Sequence, residues 1–253
     1  MTITVRIAQI QPEILGITGD AGNVRAIRKR LEAAGATVEY VPVGTGEDLP
    51  TDADIIVVGN GPLSAMRRVH DDLQRHGDAL RRFVADGGSL LAVGGGAELL
   101  SRGVTTLDGE RIEGLGVFDV DVARTRNRRV GYIVLETAAG TVIGFEDHAS
   151  EWTLGSPDLA YGRTQFGNGA YDHPAGGRGE MVRTGEAIAT YVQGPILPLN
   201  PDLTRDIIRG VLRRRGAELD LGTGVAKLDE YADGARRAIR SLVQSKTFST
   251  IQL

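Results

Sequence analysis

A doubly wound α/β fold, with a mostly parallel sheet and helices on both faces, is what this sequence predicts. Three observations carry the prediction. Residues 1–102 alternate short apolar runs with segments of helical periodicity, the pattern of strands joined by right-handed crossovers. The run "ADIIVVG" (Ala53–Gly59) is continuously apolar after Asp54, as a strand buried on both faces of a parallel sheet must be. The stretch "LLAVGGGAELL" (Leu90–Leu100) takes a β-type run through three glycines directly into a helical pattern. That is a sharp elbow at the carboxyl end of a strand, where open parallel sheets place their sites.

The elements follow in order. "VRIAQI" (Val5–Ile10) is the first strand. In "GDAGNVRAIRKRLEAAG", Asp20 or Asn23 caps a helix whose Val24, Ile27 and Leu31 recur at helical spacing until Gly35 ends it. "ATVEYVPV" alternates as a second strand, and "ADIIVVG" is the third. Met66–Ala85 reads as one helix burying Leu73, Leu80, Phe83 and Val84. "GGSLLAV" is the next strand, and a helix starts over Ala97–Ser101. From Gly103 to about Val192 the texture changes to short β-like runs: "LGVFDVDVA", "VGYIVLETA", "TVIGFED" and "AIATYVQ". These predict antiparallel pairing that extends or flanks the parallel sheet, with "RTQFGNGAYDHPAGGRGEM" as a Gly-rich turn. Asn200–Gly216 is a closing helix, with Asn200 as cap, Pro201 in its first turn and Arg213–Arg215 at its negative end. Leu228–Leu242 is a second amphipathic helix, and "QSKTFSTIQL" has no legible role. No linker divides the chain, so residues 1–253 read as one domain, a core of about 5–216 and a helical extension over 217–253.

Composition narrows the function. Of 253 residues, 41% are hydrophobic and 25% charged, ordinary values for a globular protein. The net charge of −4 supplies no basic field for nucleic acid. There is no cysteine, which excludes disulfides, thiolate metal sites and a cysteine nucleophile. The four histidines form no metal-ligand pattern, and neither metal nor cofactor is expected. "MTITVRIAQI" lacks a secretory-type apolar core, and no run reaches the ~20 apolar residues of a membrane span. The expected location is the cytoplasm.

The elbow admits three readings. Strand, glycines and helix start can hold an anion on backbone N–H groups, but "GGGAEL" matches neither G-x-G-x-x-G nor the P-loop pattern. A nucleophile elbow needs Ser, Cys or Asp at the turn, and Gly94 stands there. The third reading is a plain glycine turn. The segment alone does not choose among them.

Six segments, the elbow among them, in order along residues 7–212, together resemble the class I glutamine amidotransferases. They are similar to the cobyric-acid-synthase-like branch, and within it to GatD-type subunits that partner a MurT-type Mur ligase homologue. "LGITGDAGNVRAIRKRL" resembles that branch's opening loop and helix, and "LLAVGGGAELL" its A-V-C-G-G-Y-Q-L-L elbow. "IEGLGVFDV", "RRVGYIVLE" with "IGFEDH", and "YGRTQFGNG" resemble its G-L-G-hydrophobic-Asp, R-x-x-G-x-x-V, G-F-E-N-H and Gly-x-Gly-Asn segments. "IATYVQGPILPLNPDLTRDII" is similar almost throughout to T-Y-L-H-G-P-h-L-P-x-N-P. The resemblance implies a flavodoxin-like fold and a cysteine that attacks the glutamine amide, with a histidine as its base.

Both groups are replaced. The cysteine position is Gly94 and the histidine position is Gln193. The tyrosine and glutamine after the elbow become Ala97 and Glu98, and the glycine-rich segment after the third strand reads "VGNGPLSAM" without its glutamine. Asn60, Gly61, Gly95, Gly96 and Glu98 are then expected to line a binding pocket. Arg128 occupies the motif arginine, read either as a guanidinium fork for a carboxylate or as a solvated member of "RTRNRR". Ser64, Glu98, Asp147 and His148 are neighbours to consider as replacement groups, with His148 expected as a structural histidine in a loop. His70 and His76 are read on one helix, and His173 in a Gly/Pro turn. The expectation is a degenerate amidotransferase-like subunit that binds a Mur-ligase-like ATP-dependent partner, with glutamine or another small molecule in its pocket. The alternative is an active amidotransferase or hydrolase with a rebuilt site.

Overall fold

A computed structural model describes residues 3–222 and 224–245. Strands and helices alternate through the first hundred residues: β1 (Thr4–Ile10), α1 (Ala21–Ala33), β2 (Thr37–Val43), β3 (Ile55–Val58), α2 (Leu63–Gln74), α3 (Gly77–Ala85), β4 (Ser89–Val93) and α4 (Gly95–Leu99). The middle of the chain is strand: β5 (Gly103–Thr105), β6 (Arg111–Glu113), β7 (Val120–Thr137), β8 (Gly140–Leu154), β9 (Ala160–Phe166), β10 (Tyr171–Asp172), β11 (Arg178–Thr184), β12 (Ala187–Thr190) and β13 (Val192–Gln193). Helices α5 (Ile196–Leu199), α6 (Pro201–Arg215) and α7 (Ala226–Gln244) follow.

Among the described residues these strands join one sheet. Five of its strands form the parallel series β2-β1-β3-β4-β12. Its last member comes from far along the chain and sets Ala187–Thr190 beside Leu90–Val93. Beyond β12 the pairing turns antiparallel, in the order β12-β11-β9-β7-β8-β13. One residue, Tyr191, separates β12 from β13, so the antiparallel path returns to the place where it started.

The two-sided burial of β3 follows from helices on both faces. Ile55 and Val57 pack with Val24, Ile27 and Leu31 of α1 and Leu203 and Ile207 of α6. Ile56 and Val58 pack with Met66, Val69 and Leu73 of α2 and Leu80 of α3. Each such buried aliphatic side chain contributes about 2 kcal/mol, and the alternation leaves no polar face on this strand.

Several elements differ from their sequence patterns. The expected helix over 66–85 is two, broken at Arg75–His76. The Arg75 and His76 N–H groups bond to Asp72 and Leu73 carbonyls three residues back, which closes α2, and the weak helix former Gly77 opens α3. His70 and His76 therefore fall on opposite sides of a break. "LGVFDVDVA" and "VGYIVLETA" are not separate strands. Both run into β7, which stays paired to β8 across a register shift between Arg124 and Arg129. The Gly-rich stretch 163–181 carries β10 and parts of β9 and β11 as well as turns, with His173 in the turn between β10 and β11.

Three expected caps have other work. Asp20 stands at the N-cap of α1, but its Oδ2 accepts from the Asn60 N–H (3.0 Å) and the Thr18 hydroxyl (3.0 Å). Asn23 Oδ1 accepts from the Leu197 N–H (2.9 Å). Asn200 pins β8 instead of capping α6. Its Oδ1 accepts from Ile143 N–H (2.9 Å), and its Nδ2 donates to the carbonyls of Ile143 and Ile196 (both 2.8 Å). Helix α7 is tied to the sheet domain through Asp229, which pairs with Arg30 of α1 and Arg205 of α6, and through Arg236, which donates to Asn200 Oδ1 and the Thr141 carbonyl. Of "QSKTFSTIQL", residues 246–253 lie outside the described residues.

Candidate functional site

At the carboxyl end of β4 the chain turns sharply at Gly94, with φ +53° and ψ −119°. This is a conformation that side-chain-bearing residues adopt only under strain. The Gly94 N–H bonds to the Thr190 carbonyl on β12 (2.8 Å), and the Glu98 N–H to the Gly94 carbonyl (3.0 Å). The turn is therefore gripped from both sides. It keeps the form of a nucleophile elbow, the bend that lifts one side chain above a sheet. Here that position carries no side chain.

The space above Gly94 belongs to Asn60, just after β3. A Cβ added at position 94 would overlap Asn60 Oδ1 and Cγ. Asn60 Oδ1 accepts from the Gly95 N–H (2.8 Å), its Nδ2 donates to Gln193 Oε1 (2.6 Å), and Gln193 Nε2 donates to the Asp147 carbonyl (2.8 Å). A fixed N–H begins this relay and a fixed C=O ends it. The orientation of both carboxamides is thereby set, since each flip would oppose like groups. Behind it the Asn60 N–H is held by Asp20, whose carboxyl burial pushes above its ordinary value against the hydrogen bonds it accepts.

A cavity of about 350 Å³ opens in front of the relay. Two ion pairs form much of its wall. Glu98 is 2% exposed; its Oε2 takes Arg124 Nη2 (2.5 Å) and its Oε1 takes the hydroxyls of Ser150 (2.9 Å) and Tyr191 (2.8 Å). Burial, then the charge of Glu98, raises the Tyr191 phenol well above its ordinary value, so its O–H stays a donor. Arg128 holds Asp147 with both prongs, Nε to Oδ1 (2.7 Å) and Nη2 to Oδ2 (2.8 Å). This pair sits at the mouth, with the Arg128 side chain 54% exposed.

A polar and aromatic layer lies beneath. His148 stacks on Tyr191 at 4.3 Å, and Tyr191 tilts against Trp152 at 4.7 Å. His148 Nε2 faces Glu146 Oε2 at 3.6 Å. Burial works to raise the Glu146 carboxyl, but the neighbouring His148 imidazole and the hydrogen bonds from Asn168 hold it below its ordinary value. Glu180 is wholly enclosed and accepts from the Tyr191 N–H (2.5 Å) and the Thr190 hydroxyl (2.8 Å). Burial pushes its carboxyl up to about 7.

Gly94, Gly95, Asn60, Gly61, Glu98, Arg128 and Gln193, all singled out in the sequence, line this one cavity. Gly96 does not. It packs against the end of β3, where a Cβ would lie 2.6 Å from the Gly59 carbonyl oxygen. Asp147 and His148 are in the wall, while Ser64, in the first turn of α2, is not. His148 sits in strand β8, not in a loop, because the pairing of β7 with β8 extends across it at Arg129. Sequence reasoning missed Arg124 and Tyr191 as wall residues. Arg124 was visible only as a member of an arginine-rich run, and Tyr191 only as a residue beside the replaced histidine. Among the described residues no cluster of His, Asp and Glu could hold a metal ion. Nor, among the described residues, is any helix long and apolar enough to cross a membrane.

The arrangement can bind and it can donate hydrogen bonds. It presents no thiol or hydroxyl at the elbow, and the carboxylates of Glu98 and Asp147 are both committed to guanidinium partners.

Comparison with known proteins agrees with the architecture. The sequence is 29% identical over 204 residues to the GatD subunit of lipid II isoglutaminyl synthase (glutamine-hydrolysing) of Staphylococcus aureus, covering 80% of this chain and 82% of that one. It is 28% identical over 222 residues to the subunit of the same name from Streptococcus pneumoniae, covering 86% and 84%. In three dimensions the chain resembles a glutamine amidotransferase from Thermotoga maritima, at a TM-score of 0.52 and 14% identity over 94% of both chains. That likeness speaks to the fold alone. The description of the CobB/CobQ-like glutamine amidotransferase domain matches residues 6–201. With the elbow, the parallel sheet and the cavity at its carboxyl edge in place, this chain belongs to the family of CobB/CobQ-like glutamine amidotransferase domains.

Proposed function

We propose that this protein is a GatD-type amidotransferase subunit that does not hydrolyse glutamine, and that it works by binding a Mur-ligase-like, ATP-dependent amide ligase. One observation carries the first half. The elbow position that would hold the attacking atom is Gly94, and the space above it is filled by a side chain of the protein itself. Acyl transfer from an amide needs a nucleophile with a base in hydrogen-bond reach. Gln193, at the base position, spends its carboxamide on Asn60 and Asp147. Likeness to subunits of lipid II isoglutaminyl synthase over more than 80% of their length supports the second half, since those relatives are named as parts of a larger enzyme. On this reading the chain is one domain in which Asn60, Gly61, Gly95, Glu98 and Arg128 shape a binding pocket rather than a reaction centre.

The competing reading is an amidotransferase with a rebuilt site, in which the buried carboxylate of Glu98 takes a chemical role. Ammonia release from L-glutamine, measured on the purified chain and on the chain co-purified with its ligase, separates the two. We expect release at the uncatalysed rate in both preparations. Sustained turnover that Glu98→Ala or Asp147→Ala abolishes would replace our reading with the other.

A further inference from the structure

We propose that the Asn60 carboxamide is an internal ligand of this pocket: it occupies the place of an external primary carboxamide and decides that the pocket refuses such molecules. The inference deepens the reading above and rests on it. A carboxamide held at an elbow needs two things, a donor for its oxygen and an acceptor for its NH₂ group. The elbow offers the Gly95 N–H as donor and Gln193 Oε1 as acceptor, and Asn60 takes both, at 2.8 and 2.6 Å. It also takes the volume, because the Asn60 oxygen and Cγ stand where a side chain on residue 94 would begin. Gln193 cannot turn away to serve another ligand without giving up the Asp147 carbonyl at 2.8 Å.

The segment carrying Asn60 is anchored independently of its side chain. The Asn60 N–H bonds to Asp20 Oδ2 (3.0 Å), and its carbonyl accepts from the Ile17 N–H (3.3 Å). The side chain can therefore be removed with its backbone left in place. What opens is a carboxamide-sized recess continuous with the cavity lined by Arg128, Glu98 and Tyr191.

The test is a calorimetric titration of wild type, Asn60→Ala and Asn60→Ser with L-glutamine and, separately, with L-glutamate. The two ligands differ only in the terminal carboxamide. We expect wild type to bind both weakly and equally, and Asn60→Ala to bind glutamine at least tenfold more tightly than wild type does, with glutamate unchanged. Asn60→Ser serves in the same comparison if the alanine variant does not fold. A folded variant with no gain for glutamine, while wild type releases no ammonia, overturns the internal-ligand proposal alone. Equal gains for glutamine and glutamate overturn it too, since they would report mere space. Glutamine turnover by wild type overturns both this proposal and the function on which it rests.

Discussion

Glu180 gives the most quantitative test of the buried layer under the cavity. Its carboxyl is enclosed on β11, held by the Tyr191 N–H and the Thr190 hydroxyl, and burial displaces it from the ordinary 4.5 to about 7, with the negative charge of Glu146 adding to the effect. In the unfolded chain the group loses its proton near 4.5; in the folded chain it keeps it until about 7. The folded state therefore holds the extra proton, so this group's contribution to stability is greatest below pH 4.5 and is withdrawn as pH rises through 7. Each pH unit between the two values is worth about 1.4 kcal/mol, which makes the whole withdrawal about 3 kcal/mol. Glu180→Gln keeps an oxygen for the Tyr191 N–H and an NH₂ group opposite the Thr190 oxygen but cannot ionise. Urea unfolding of both proteins at pH 5, 6, 7 and 8 reads the effect as a difference, which cancels the titration of groups shared by both. The variant should gain on wild type from pH 5 to about pH 7 and level off by pH 8. A flat difference, or one of opposite slope, would show that Glu180 is ionised in the fold at neutral pH and would sink the reasoning.

Two further outcomes follow from the geometry. Asn200→Ala removes three bonds to β8 and α5 and strands the Ile143 N–H and the Ile143 and Ile196 carbonyls in the core, so urea unfolding should show a loss of about 3 kcal/mol. Arg128→Ala breaks a bidentate pair whose arginine is more than half exposed, and its cost in the same assay should stay below about 1 kcal/mol, because water screens the charges. An equal loss for both variants would mean that the ion pair at the mouth of the cavity is as integral to the fold as the buried tie between β8 and α5.

The alternation of strands and helices over residues 1–102 was legible because apolar periodicity reports which faces are buried. The three glycines of the elbow and the segments around Gly94 and Gln193 were legible as a family pattern. The roles of individual polar residues were not. Asp20 and Asn200 stand where helix caps belong and Asn23 in the first turn of α1, yet each spends its side chain on a partner 40 or more residues away. Nothing in local spacing distinguishes the two uses. Asn60 was expected to line the pocket, but its reach over Gly94 depends on how closely the ends of β3 and β4 pack, which is fixed by parallel register. The 15–18-residue strands β7 and β8 were hidden because the arginine-rich stretch where their register shifts interrupts the alternation in sequence.

The cavity draws its walls from six stretches: residues 17–18, 60–63, 94–98, 124–128, 147–149 and 191–193. Closing such distant pieces onto one another is the slow part of folding, because chain entropy must be spent before the contacts reward it. The last stretch enters with β12, which slots between β4 and β11 and carries the carbonyl that grips Gly94. A nascent chain released before Thr190 can therefore form most of the parallel sheet and still have no pocket.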